Sequence, residues 1–224
     1  MKVITQLDGI TYAATLKGVW KIEIIQDTEC DSPRECDNLG SIVTFGRANF
    51  YSDKNQKGIW DDWEEFIERH NPKEFVILPV YKYEHGQVSL NTEGFNCRWD
   101  SGQIGFIYCS KEVAVNEFGK KYFTKKVKEK TLNCLKAEVE TYSSWLQGNC
   151  YGYQVSFATW DYLFEGVDNP TTYDERLAIV TTWDETEWDS VEFIETDSCW
   201  GYIETEHQYE KMDCYNEAIN RIQE

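Results

Sequence analysis

ITYAATLKGVWKIEII, residues 10–25, is two apolar, β-branched runs joined at Lys17–Gly18. Residues 10–16 and 19–26 each read as a strand, and VWKIEII alternates as a half-buried strand does. So short a connection joins neighbours in antiparallel sense, because a parallel pair needs a crossover of a dozen residues or more. EFVILPVYKYEHGQVSL, residues 74–90, repeats the pattern as a hairpin turning near His85–Gly86. Further strands are expected at Ile42–Phe45, Ile104–Cys109, YGYQVSFATW (151–160), LAIVTTW (177–183) and SVEFIE (190–195).

Helices are expected at four places. WDDWEEFIER, residues 60–69, sets Trp60, Trp63 and Ile67 on one face, with acids in the early turns where the helix dipole favours them. Ser110 is placed to cap a helix that ends at Gly119. Over 124–147, Leu132, Leu135, Val139, Tyr142 and Leu146 recur at 3–4 spacing, and Gly148 follows as a stop. Residues 204–222 repeat the pattern less cleanly. No Gly-, Ser- or Pro-rich linker interrupts the 224 residues. The expectation is a single α+β domain over 1–224, mainly antiparallel sheet with three to four helices packed on it.

Asp-Ser followed by a short step into Gly, an aromatic residue and Ile occurs twice, as WDSGQIGFIY (99–108) and TDSCWGYIE (196–204). Asp and Ser side chains bond nearby backbone in turns, so both phrases are expected to turn into the core and lead to a helix. Little around them matches, which speaks against a duplication.

Nine Trp, fourteen Tyr and eleven Phe are ample for a packed core. The opening MKVITQLDGITY is broken by Gln6 and Asp8 and does not read as a signal peptide, and no apolar run approaches the ~20 residues of a membrane span. A cytoplasmic protein with no membrane partner is expected, and with it reduced thiols at all eight cysteines. No Cys-x-x-Cys pair exists, and His70, His85 and His207 lie far apart, which leaves a zinc site without a framework.

The net charge is −18 and is unevenly distributed: from Trp160 onward eighteen Asp and Glu face three Lys and Arg. Residues 111–136 do the opposite, with eight lysines against Glu112, Glu117 and Glu129. Phosphates are repelled by an acidic surface, so direct nucleic-acid binding is not expected. The lysines at the start of the 124–147 helix oppose its dipole, which suggests either an anionic partner or the chain's own acidic third.

DSPRECDNLG (31–40), NCRWDSGQIGFIY (96–108), AEVETYSSWLQGNCYGY (137–153) and DSCWGYI (197–203) together resemble a family of uncharacterised proteins of tailed bacteriophages and prophages. Members have Trp at the position of Cys36 and Pro at that of Arg98. The resemblance implies a phage gene product acting in the cytoplasm of an infected bacterium, where small accessory proteins often target host defence; it carries no assigned chemistry.

Asp27, Glu29 and Asp31 begin like a calcium loop, but Ser32 stands where glycine is needed and Asn38 where the twelfth-position Glu belongs. A solvated acidic loop is the plainer expectation, with Arg34 paired to one of its acids. Asp37, Asp100 and Asp197 each sit in a family-like segment, and their convergence would make a calcium or magnesium site or an acid–base pair. That is the alternative function: a metal-dependent enzyme or small-ligand-binding protein. No nucleophile elbow or phosphate loop supports catalysis. In WDETEWDSVEFIETD (183–197), a strand would set Glu185, Glu187 and Asp189 on one face about 6–7 Å apart. With Glu192, Glu195 and the rings of Trp183 and Trp188, that row would imitate a nucleic-acid backbone with stackable bases. The leading expectation is therefore a non-enzymatic inhibitor of a nucleic-acid-handling defence complex, such as a CRISPR nuclease.

Overall fold

The computed structural model describes residues 1–7, 9–60, 62–166, 170–205, 208 and 211–222. The strands are β1 (Lys2–Leu7), β2 (Ile10–Ala14), β3 (Gly18–Gln26), β4 (Ser41–Thr44), β5 (Phe75–His85), β6 (Gln87–Asn91), β7 (Ser101–Ser110), β8 (Cys150–Thr159) and β9 (Ile194–Ile203). The α-helices are α1 (Trp63–Arg69), α2 (Lys111–Glu117), α3 (Lys125–Leu146), α4 (Trp160–Leu163), α5 (Tyr173–Val180), α6 (Glu185–Asp189) and α7 (Asp213–Arg221). The α+β class with antiparallel sheets holds, distributed over two compact units: Met1–Cys30 with Cys150–Glu224, and Asp31–Asn149.

The first unit is a five-stranded sheet in the order β1-β2-β3-β8-β9, every neighbour antiparallel. Strand alternation divides its apolar residues between two faces. Tyr12, Ala14 and Val19 meet Trp160, Phe164, Leu177, Val180 and Trp188 on one side. Ala13, Ile22, Tyr153 and Val155 meet Met212, Cys214, Ala218 and Ile222 of the C-terminal segment on the other.

The second unit is a four-stranded sheet in the order β4-β7-β5-β6. The hairpin at His85–Gly86 is present, and α3 lays Val127, Leu135, Val139 and Tyr142 onto Ile42, Val76, Val80, Leu90 and Ile107. Thr124 caps α3 by accepting from the Val127 amide, and Ser110 caps α2 by accepting from Val113. In α1 the buried residue is Phe66, while Ile67 faces solvent; Asp62 caps the helix, and Asp61 lies outside the described residues.

Four expectations change. LAIVTTW is largely helix α5, and residues 185–189 are helix α6, because each has a capping box: Thr172 with Glu175 and Asp184 with Glu187. Asp197–Ser198 is not a turn but lies within β9. The last helix starts at Asp213, not near residue 204; of that span, residues 206, 207, 209 and 210, His207 among them, lie outside the described residues. Glu204 instead sits buried beyond β9 and accepts the amides of Asp213 (3.1 Å) and Cys214 (2.9 Å), so a carboxylate ten residues upstream takes the N-terminal donors of α7.

The two echoing phrases are both irregular strands, but their glycines differ: Gly105 of the first is pressed against a neighbouring strand, whereas Gly201 of the second has a φ of 86° and open space where a Cβ would stand. A Cβ at Gly105 in β7 would overlap the Val43 carbonyl of β4. In the other unit the Trp200 ring of β9 lies across Gly152 of β8, covering backbone that a side chain would otherwise cover.

Candidate partner-binding face

Between Asp161 and Glu195, ten carboxylates among the described residues are exposed, and one cation, Arg176, shares the segment. Arg176 is itself occupied by Asp161 at 3.3 Å. The local sequence makes this face by turning aromatics in and acids out. Trp188 is 1% exposed and stacks on Tyr12 with ring centroids 4.2 Å apart; Trp183 meets Trp188 edge-on at 4.8 Å. Every remaining position of α6 is exposed and polar.

The strand row expected of Glu185, Glu187 and Asp189 does not exist, because the three lie in one short helix. Glu187 is a capping residue: its carboxylate accepts from the Asp184 amide at 2.6 Å, while Asp184 accepts from Thr186 and Glu187 at 2.9 and 3.3 Å. Contact with the Glu187 side chain, together with those amides, holds the Asp184 carboxyl below its usual range. The stackable-ring half of the expectation fails at Trp188, which is buried. Glu185 and Asp189 remain free on the surface side. They stand near enough to Tyr12 to add to burial, the main cause, in pushing its hydroxyl up to about 12. Glu195 lies in β9 and accepts from Gln154 at 2.7 Å. Glu192 lines an apolar hollow of about 450 Å3 with Phe157, Tyr162 and Ile194.

Asp37 and Asp100 belong to the 31–149 unit and Asp197 to the other. Asp37 lines an open polar hollow of about 740 Å3 with Arg34, Lys54, Asn55 and Glu117. Asp100 faces His85 at 3.5 Å and accepts from the Cys97 thiol at 3.6 Å. Asp197 is engaged by Arg221 at 3.6 Å and by the Tyr153 hydroxyl at 3.4 Å. Among the described residues no group of three or more His, Cys, Asp and Glu is arranged to hold a metal ion. Asp27 accepts from the amides of Glu29 and Gly201, which ties it into backbone rather than into a cation loop.

DSPRECDNLG is a structural clasp. Its Arg34 does not pair with a loop acid as expected. Its guanidinium is 6% exposed and donates to both oxygens of Asp53 (2.9 Å each), to Glu138 of α3 (3.0 Å), to Asn38 (2.9 Å) and to the Gly40 carbonyl (2.7 Å). Burial alone would lower its pKa, but the hydrogen bonds and charges of Asp53 and Glu138 raise it overall. Glu138 also accepts the Leu39 amide at 2.8 Å, and Asp53 that of Ile42 at 2.8 Å. Nothing in the sequence links Arg34 to Glu138, more than a hundred residues away, so that partner was not legible.

The lysines of 111–136 are partly used by their own unit. Lys111 donates to the Pro72 and Lys73 carbonyls, Lys136 pairs with Glu93 at 2.6 Å, and Lys130 lies over the Phe118 ring. None of the eight cysteines is joined in a disulfide. Among the described residues no helix is long and apolar enough to cross a membrane. No protein-family model matches the chain, and neither a curated protein nor a solved structure is significantly similar to it.

Proposed function

We propose that this is a non-enzymatic, phage-encoded accessory protein that binds and inhibits a bacterial antiviral defence component, a nucleic-acid-handling complex such as a CRISPR nuclease, in the cytoplasm of the infected cell. The phage context comes from the sequence resemblance. The observation that carries the binding function is the exposed acidic face between Asp161 and Glu195, with its one paired cation. A surface of one sign steers a partner of the other and raises the association rate, most at low salt. Its carboxylates are spread over three helices, the segments between them and an edge strand. It would therefore compete for a basic groove through its field rather than as a copy of base-and-phosphate spacing.

The test uses Glu185→Gln, Asp189→Asn, Glu192→Gln and Glu195→Gln combined, leaving the capping Asp184 and Glu187 intact. In bacteria carrying a nuclease-based defence, the unaltered protein should restore phage plating and the fourfold variant should lose most of that effect. Binding of the purified proteins to the defence complex should weaken in the variant and become less salt-sensitive. Equal protection by both proteins, at equal expression, rules the acidic face out as the binding surface.

A further inference from the structure

The sheet of the first unit is not evenly covered. Tyr153, Val155 and Phe157 alternate onto one face of β8, and the cluster built on α7 takes in Tyr153 and Val155 but not Phe157. Phe157 rests instead against Trp20 of β3, ring centroids 4.6 Å apart, and forms a wall of the 450 Å3 hollow that Tyr162, Glu192, Ile194 and Thr196 complete. Ile194 is 73% exposed and Tyr162 46%. Single exposed apolar side chains are ordinary, but a concave group of them ringed by charge has the form of a binding hot spot: an apolar centre with a polar rim. Glu192 lines the hollow and supplies its charge, while Glu195, the next residue after Ile194 along β9, stands opposite Ser156 on the other face of the sheet and is taken by Gln154 at 2.7 Å.

We propose that this hollow receives one aromatic or aliphatic side chain from a lysine- or arginine-rich segment of a partner protein, a flanking cation lying over Glu192. The inference rests on the acidic face being a binding surface and adds the chemistry of what it recognises. Charge complementarity selects this occupant, since Glu192 and the exposed carboxylates of the surrounding segment repel an acidic or phosphate-bearing ligand. The apolar anchor supplies residence time, while the charges supply steering.

Two dye-labelled peptides test it against the full chain by fluorescence anisotropy: Lys-Lys-Lys-Trp-Lys-Lys-Lys and the same peptide with Ser in place of Trp. The Trp peptide should bind about tenfold more tightly, the scale of burying part of one large ring. Ile194→Ser, at an exposed position where folding has little to lose, should erase most of that difference and leave the Ser peptide unchanged. Glu192→Gln with Glu195→Gln should weaken both peptides alike. Equal affinity for the two peptides, or no effect of Ile194→Ser, overturns the hollow as an anchor site while leaving the acidic face standing. If neither peptide binds, or binding ignores the Glu substitutions, the acidic face itself fails and the hollow with it. A concentration-dependent doubling of mass in sedimentation that Ile194→Ser abolishes would assign the hollow to a second copy of this chain and likewise overturn the proposal.

Discussion

In DSPRECDNLG the one cation points into its unit, and in WDETEWD the acids point out of theirs. Arg34 is sealed among five oxygen acceptors, while α6 seals its tryptophan and leaves Glu185 and Asp189 in water. Both segments are short, acidic and turn-rich in sequence. What separates them is the presence of a single arginine with carboxylates to meet it from β4's flank and from α3. A buried cation is tolerable only when its donors are satisfied, so Arg34 drags an entire loop into order. Where no cation is at hand, carboxylates stay solvated, and burial falls to the aromatics between them.

Removing the centre of the buried arrangement breaks the comparison most severely. Arg34→Met leaves Asp53 and Glu138, 11% and 13% exposed in their side chains, facing each other without a cation. The expected cost is about 3–5 kcal/mol, read as a lowered urea midpoint. In a Glu138→Gln background, which keeps an acceptor for the Leu39 amide, the same change should cost clearly less. Equal costs in both backgrounds mean that the network is not coupled through charge.

The outward-facing segment has its own inward element. Trp188→Ala should cost about 3 kcal/mol, near the lower end for a buried tryptophan because a helix of five residues can partly collapse onto Tyr12. A cost under about 1 kcal/mol would show that α6 is not anchored by its ring.

How much of this could be read from the chain follows the range of the interaction. The hairpins at Lys17–Gly18 and His85–Gly86, the Ser110 cap and the long apolar stripe of α3 are local, and each appears where the sequence places it. The α5 and α6 segments are equally local but carry a second, misleading signal: in α6, Glu-x-Glu-x-Asp alternates like a strand. The competing signal, Asp184 or Thr172 followed three residues later by Glu, was present in the letters and decides the matter. The division into two units was not legible, because Cys30–Asp31 and Asn149–Cys150 carry no linker composition. The Asp37, Asp100 and Asp197 grouping assumed a long-range convergence that no sequence period can encode.

Both units hold neutral groups that alkali would charge, and this sets a smaller, shared effect. Burial pushes the thiols of Cys109 to about 11 and of Cys150 and Cys214 to about 12, and the hydroxyls of Tyr12 and Tyr142 to about 12. Each folded value lies above the ordinary one of 9.0 or 10.0, so folding favours the protonated form. That stability is complete below about pH 9 and is lost as pH rises toward 12. The urea midpoint should fall steadily over that window. At neutral pH, iodoacetamide should modify the exposed Cys36 and Cys199 first and leave Cys109, Cys150 and Cys214 until unfolding. Rapid labelling of Cys214 in the folded protein would contradict its burial.

The smallest expected effect is the most informative about the exposed face. Glu185, Asp189, Glu192 and Glu195 are exposed, and no cation lies between Arg176 and Lys211 in the sequence. Neutralising all four removes like-charge repulsion, so stability should stay within about 0.5 kcal/mol or rise slightly at low salt. Asp184→Ala, a few residues away and just as exposed, should cost about 1 kcal/mol, because its carboxylate accepts the Thr186 and Glu187 amides. The pair of measurements separates a carboxylate that holds a helix from carboxylates whose only partner in the fold is the exposed Gln154 amide on Glu195. If the fourfold variant loses more than about 1 kcal/mol, the four acids are structural, like those around Arg34, and the contrast between the inward and outward segments disappears. If it loses nothing, their abundance in this exposed segment has no explanation in folding, and it is the loss of partner binding in that same variant that must account for them.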